Sequence, residues 1–216
     1  MGGGPPKPFI SLNGKSILQR TAEAFLSLSE IEGLIVLGNP EFLDQYQEAL
    51  GIQDERIRII PGGKTRQHSV CLGLEFIANN YEDTSSYLVS IHDAARCLID
   101  PELIRLANRE ASARQAVTLG VPVTDSLKLV EEGTSRALKN IDRKNVVSIQ
   151  TPQVFSFDLI YKQHQYYKSK ARFDFTDDTA LLEGHHEVYI VPGSKENIKI
   201  TTKEDLLFAQ AILSKI

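Results

Sequence analysis

Apolar and polar positions along this chain fall into blocks of two kinds. Short apolar runs bounded by turn residues predict buried strands at Gly33–Leu37, Arg56–Ile60, Tyr87–Ile91, Ala116–Val121 and Val188–Val191. The second of these is closed by Pro61-Gly62-Gly63. Segments with helical character lie between them. Asn39 is placed to cap a helix with Pro40 at its first position, running to about Leu50. Val70, Leu72, Leu74 and Ile77 mark a helix after the glycines, and Asp100-Pro101 opens the next in the same cap-plus-proline manner. Beyond Val121 the pattern changes. Ser126–Val130 and Ser135–Leu138 flank the turn-rich Glu131-Glu-Gly-Thr134 and predict a β-hairpin. A strand near Val146–Ile149, helices near Phe157–Tyr167 and Asp177–Leu182, and a last helix opened by Thr201-Thr-Lys-Glu204 and reaching Leu213 complete the chain.

Alternation of this kind predicts an α/β fold, a mainly parallel twisted sheet with helices on both faces. Such sheets bind ligands at the carboxyl ends of their strands. The 216 residues suit one domain spanning 1–216, with the hairpin of residues 126–139 protruding as an arm. Composition adds little to this picture, with 42% hydrophobic and 24% charged residues. A net charge of −4 argues against a nucleic-acid partner but leaves room for a small anion in a local basic pocket. The two cysteines have no metal-ligand spacing, and Cys71 sits among apolar residues as a core residue would. That usage, with no signal segment and no apolar run of about 18 residues, predicts a protein of the reducing cytoplasm with no membrane partner.

The candidate chemistry lies just after the strands. Gly62-Gly-Lys-Thr-Arg-Gln-His-Ser-Val70 offers backbone N–H groups and a helix N-terminus to an anion, or is simply a turn that needs glycine. His92-Asp-Ala-Ala-Arg96 places a carboxylate beside an arginine: Asp93 suits Mg²⁺, which takes one or two protein carboxylates, and Arg96 suits a phosphate. His92 reads as a packed or hydrogen-bonded loop histidine. A third cluster offers Ser126, Arg143 and Thr151 around the hairpin, and a fourth places Lys199 just before the last helix. The pool is cations, hydroxyls and one well-placed aspartate, which suits phosphoryl-type transfer, where positioning and charge stabilisation dominate.

Taken in order, Pro6-Lys7, Leu12-x-Gly14-Lys-Ser-Ile-Leu18, Gly62-Gly-x-x-Arg66-x-x-Ser69-Val, His92-Asp-Ala-Ala-Arg96, Pro122-Val-x-Asp125-Ser-Leu-Lys128, Asp142-Arg143, Gln150-Thr-Pro-Gln153, Thr176-Asp-Asp178 and Lys199-Ile-Thr resemble the 2-C-methyl-D-erythritol 4-phosphate cytidylyltransferases of the non-mevalonate route to isoprenoids. The resemblance runs from about residue 5 to the C-terminus and implies a Rossmann-like nucleotidyltransferase fold using CTP, Mg²⁺ and a polyol phosphate. It implies that Lys7 stabilises charge on the triphosphate, that Gly62, Gly63, Arg66, Ser69, Asp93 and Ala94 belong to the nucleotide site, and that Asp93 binds Mg²⁺. Arg96, Ser126, Arg143, Thr151 and Lys199 would surround the methylerythritol phosphate, with Arg143 and Lys199 aiming its phosphate. It also implies a homodimer in which the hairpin arm crosses to the partner's site.

The chain departs from the family pattern in places. Members begin with a buried strand and an Ala-Ala-Gly-x-Gly-x-Arg loop before the Pro-Lys pair. Here the start at Met1-Gly-Gly-Gly-Pro-Pro-Lys7 implies that this strand, most of the loop and one catalytic arginine are missing. Neighbouring strands would then carry unpaired backbone groups and exposed apolar surface. Pro8 stands for glutamine, Cys97 for proline and Ser126 for threonine. Two other expectations remain open from the sequence: a different acceptor such as ribitol 5-phosphate, and a non-catalytic nucleotide-binding relative.

Overall fold

The computed structural model describes residues 6–214, and the glycine-rich start at residues 1–5, on which the expectation of a missing loop rests, lies outside them. The elements run β1 (Ser11–Leu12), β2 (Lys15–Ser16), α1 (Ile17–Leu26), β3 (Leu34–Gly38), α2 (Leu43–Leu50), β4 (Ile57–Pro61), α3 (Arg66–Asn80), β5 (Leu88–Ile91), α4 (Pro101–Arg114), β6 (Ala116–Pro122), β7 (Leu127–Val130), β8 (Ala137–Ile141), β9 (Val147–Ser156), α5 (Phe157–Ser169), β10 (Tyr189–Pro192) and α6 (Lys203–Leu213).

Four strands form one sheet in the order β10-β6-β9-β5. β10 runs parallel to β6, and β9 runs antiparallel to both β6 and β5. Three of the four strands therefore share a direction, and β9 alone opposes them. β3 and β4 form a separate parallel pair, and β7 and β8 form the predicted hairpin. Successive residues of a strand face opposite sides of a sheet. Val154 of β9 accordingly joins Phe25, Ile104, Ala107 and Leu119 in one core, while Phe155 joins Val70, Leu74, Ile160 and Leu181 in another. This is how α1 and α4 cover one face and α3 and α5 the other. Among the described residues β3 and β5 each have a strand on one edge only. Both line a cleft of about 1160 Å³, together with Thr21 and Phe25 of α1 and Val70 and Leu74 of α3.

Local chemistry explains the element boundaries. Asp100 accepts the Glu102 N–H at 2.9 Å and Pro101 takes the first turn of α4, as the pattern predicts. Asn39 also caps, accepting from the Glu41 N–H at 3.1 Å, but Pro40–Phe42 form a 3₁₀ turn and the α-helix begins only at Leu43. The capping box of α6 sits one residue later than the spacing suggests, pairing Thr202 with Asp205. The buried side of α3 is Gln67, Val70, Cys71 and Leu74, with Leu72 turned partly outward. Thr179–Leu182 is a 3₁₀ segment rather than a full helix. The pattern also passes over α1, whose cap is Ser16, accepting from the Gln19 N–H at 2.9 Å.

Candidate active site

The carboxyl ends of β4, β5 and β10 feed three loops that carry the candidate residues. At the end of β4 the glycines meet the start of α3. Gly62 N–H donates to Gly38 O at 2.7 Å, Gly63 N–H to Ser69 Oγ at 3.0 Å and Lys64 N–H to His68 Nδ1 at 3.3 Å. The turn's N–H groups are thus engaged internally rather than held open for a ligand. The glycines serve close approach instead: a Cβ on Gly63 would stand 2.4 Å from His68 Cγ, and one on Gly62 would stand 3.0 Å from Ser69 Oγ. Thr65 caps α3 by accepting from the His68 N–H at 3.1 Å, and Ser69 Oγ donates to Thr65 O at 2.9 Å. That geometry puts Arg66 on the first turn of α3, facing the end of β5.

Asp93 is the hub of the site. Its Oδ1 accepts from Arg66 Nε at 3.0 Å, its Oδ2 meets Lys199 Nζ at 2.8 Å, and Arg96 Nε stands 3.9 Å away. Burial pushes the Asp93 carboxyl up. The Lys199 hydrogen bond and the Arg66 charge outweigh it and hold the group at about 2, so Asp93 is anionic throughout the physiological range. The Asp93 N–H donates to Thr151 Oγ1 at 3.0 Å, and that hydroxyl lies 3.1 Å from His92 Nδ1. His92 Nε2 lies 3.2 Å from Arg96 O, which only accepts, so Nε2 carries the proton and Nδ1 accepts from Thr151. Burial pushes His92 down to about 4 and keeps it neutral. It is the hydrogen-bonded loop histidine that the sequence suggests.

The last loop brings Lys199 to this hub through three backbone ties. Ile200 N–H donates to Ala95 O at 2.9 Å, Asn197 Nδ2 to Thr151 O at 2.9 Å, and Arg96 Nη1 to Asn197 O at 2.9 Å. Arg96 also approaches Ile149 O through Nη2 at 3.5 Å. Two of its nitrogens are therefore occupied by carbonyls, and it braces the loops where the sequence suggested a free phosphate fork. Ala94 contributes its carbonyl, which accepts from Thr21 Oγ1 at 2.7 Å.

Arg66, Asp93, Ala94, Arg96, Thr151 and Lys199 thus converge, with Gly62, Gly63 and Ser69 on the adjoining turn. Ser126, Arg143 and Lys7 are exposed, and no hydrogen bond or ion pair joins their side chains to this cluster. Arg143 follows the hairpin and donates through Nη1 to Thr124 O. Lys7 sits on a 3₁₀ turn, Lys7–Phe9. Two residues at the site have no role assigned from sequence: Asp178, which the Thr176-Asp-Asp178 motif marks and whose Oδ2 accepts from Arg66 Nη1 at 2.6 Å, and Asn197.

Three cationic side chains around one ionised carboxylate suit a polyphosphate. The described residues hold no group of three or more His, Cys, Asp and Glu side chains fit to cage a metal. A single carboxylate with a displaceable partner, Lys199 at 44% exposure, fits instead a divalent cation that arrives with its own phosphate oxygens and waters.

Residues 1–215 match the family described as 2-C-methyl-D-erythritol 4-phosphate cytidylyltransferase. The chain is 36% identical over 213 residues to a curated protein of that name from Caldanaerobacter subterraneus subsp. tengcongensis, covering 97% of this chain and 91% of the relative. A protein of the same name from Desulforamulus reducens is 37% identical over 220 residues, covering 100% and 91%. Among solved structures, 4-diphosphocytidyl-2C-methyl-D-erythritol synthase from Anaerococcus prevotii superposes with a TM-score of 0.85 at 30% identity, covering 99% of this chain and 92% of that one.

Proposed function

Because the chain belongs to the 2-C-methyl-D-erythritol 4-phosphate cytidylyltransferase family, we propose that the Asp93-centred cluster is where its reaction takes place. The chain transfers CMP from CTP to 2-C-methyl-D-erythritol 4-phosphate, giving 4-diphosphocytidyl-2-C-methyl-D-erythritol and pyrophosphate in isoprenoid synthesis. An oxygen of the acceptor's phosphate attacks the α-phosphorus of CTP, the bond from that phosphorus to the bridging oxygen breaks, and pyrophosphate leaves. The observation that carries this reading is Asp93 itself, an ionised carboxylate at the end of β5 ringed by Arg66, Lys199 and Arg96.

In this account Lys199 exchanges its bond to Asp93 for the incoming phosphates, and Arg143 meets the acceptor's phosphate from the base of the hairpin. Lys7 stabilises charge on the triphosphate as the bond breaks. Gly62, Gly63, Ser69 and Ala94 form the wall against which the nucleoside lies, and Ser126 and Thr151 contribute hydroxyls on the acceptor side. Arg96 fixes the loop that carries Lys199. Mg²⁺ bound with the triphosphate would be held by Asp93 and would neutralise charge between the phosphate groups. Ser126 and Arg143 lie beside an arm whose Leu129, Val130 and Leu138 are 43%, 52% and 50% exposed. That apolar surface supports a homodimer in which each arm crosses to the partner's site. Two buried cysteines without a disulfide support a cytoplasmic setting.

The acceptor is tested by incubating the protein with CTP and Mg²⁺ and with either methylerythritol phosphate or ribitol 5-phosphate, following pyrophosphate release. Faster release with methylerythritol phosphate is expected. Preference for ribitol 5-phosphate would reassign the acceptor, and CTP binding without release with either would favour a non-catalytic relative.

A further inference from the structure

A buried pair stands behind Arg66. The Asp178 side chain is 1% exposed and that of His164, on α5, is 0% exposed. His164 Nε2 lies 3.1 Å from Asp178 Oδ1, and Asp178 Oδ2 accepts from Arg66 Nη1 at 2.6 Å. The Asp178 N–H donates to Gln153 Oε1 at 2.9 Å, which fixes its backbone on β9. Asp178 does not serve as a helix cap. Its neighbour Asp177 does that work, with Oδ1 accepting from Thr179 N–H at 2.9 Å and Ala180 N–H at 3.3 Å. Burying a carboxyl group is costly unless it is paired, so the pair needs a reason beyond packing.

The reason lies in how Arg66 is shared. A free guanidinium tends to grip one carboxylate with two parallel N–H···O bonds. Here Asp178 takes Nη1, on the far side of the guanidinium, and of the Nε–Nη2 edge that forms such a grip only Nε makes a hydrogen bond to Asp93, at 3.0 Å on Oδ1. Asp93 Oδ2 is left to Lys199, whose side chain is half exposed. We propose that Asp178, backed by His164, is a positioning residue that anchors the far side of Arg66 through Nη1, holds Nη2 away from Asp93 and so keeps Oδ2 available to the triphosphate and its cation. This rests on the reading of Asp93 given above.

Two substitutions separate position from packing. Asp178→Asn keeps the hold: its carbonyl accepts from Arg66, and its amide donates to His164 Nε2. That requires the proton of His164 to move to Nδ1, which is buried without a partner. Asp178→Ala releases Arg66 onto Asp93. Two readouts apply. The first is the Arg66 Nε–H resonance in ¹⁵N-labelled protein free of metal and nucleotide, assigned by its loss in Arg66→Lys. The second is the affinity for CTP with Mn²⁺, measured by calorimetry. Expected are an unchanged resonance and affinity in Asp178→Asn, and in Asp178→Ala a shifted resonance with affinity weakened about 10- to 100-fold, as removal of partners behind a metal ligand commonly does. A wild-type resonance and affinity in folded Asp178→Ala, or equal losses of affinity in both variants, would overturn the proposal.

If Asp178→Ala does not fold, the wild-type protein supplies the test. An Arg66 held at both ends gives distinct Nη resonances, and averaged ones contradict the proposal. Asp93→Asn distinguishes failure of the underlying reading. If Asp93 does not meet the cation, that variant binds CTP with Mn²⁺ as the wild type does, while the metal-free Arg66 resonance still decides the role of Asp178.

Discussion

Cys97 follows Arg96 in the loop after β5, and its surroundings are apolar. It is buried with Leu12, Ile17, Ile200 and Ala209, beneath the loop that carries Lys199. Burial pushes both Cys97 and Cys71 up to about 11 from an ordinary value of 9.0. A raised thiol pKa keeps the group protonated until the pH approaches the folded value, so at pH 8 neither is a thiolate to any useful extent. Thiol reagents at pH 8 are expected to leave turnover unchanged and to label both cysteines only in urea. Rapid labelling of the folded protein with loss of activity would place a cysteine in the site. Asp93 and Arg96 were legible in sequence because they directly follow a strand. The hold of Asp178 on Arg66 was not, since the partners lie 112 residues apart and only tertiary packing joins them.

Among the elements, caps read well and long pairings read poorly. Asp100-Pro101 and the polar start of α6 announced their helices because N-cap chemistry is local. The strand expected near Val146–Ile149 extends to Ser156, through Gln150-Thr-Pro-Gln153. Its length comes from pairing with both β5 and β6, which no local pattern encodes. The hairpin was legible from its turn, and β8 runs beyond the expected segment to Ile141. Its exposed apolar residues bear on assembly. Val130→Glu with Leu138→Glu is expected to convert the proposed dimer to a monomer in sedimentation and to lower turnover, with no loss of secondary structure by circular dichroism. A dimer that survives both charges, or a wild-type monomer with full activity, would remove the arm from the site.

At the scale of the whole molecule, two features combine. The sheet gathers the carboxyl ends of β5, β6 and β10 on one side, as α/β sheets do at their ligand sites. A chain with a net charge of −4 nevertheless collects Arg66, Arg96 and Lys199 around one carboxylate, a local field that favours a small anion over a polyanionic surface. The α/β class follows from the alternation of the blocks. The single opposed strand, β9, does not, because strand direction depends on which edges meet in space. Asp93 is the hub of the proposed phosphate chemistry. Its most direct test is Mg²⁺-dependent pyrophosphate release from CTP and methylerythritol phosphate by the wild type and by Asp93→Asn, with matched circular dichroism. The account predicts release by the wild type and a loss of about a hundredfold or more in the variant; turnover in Asp93→Asn equal to that of the wild type would contradict it.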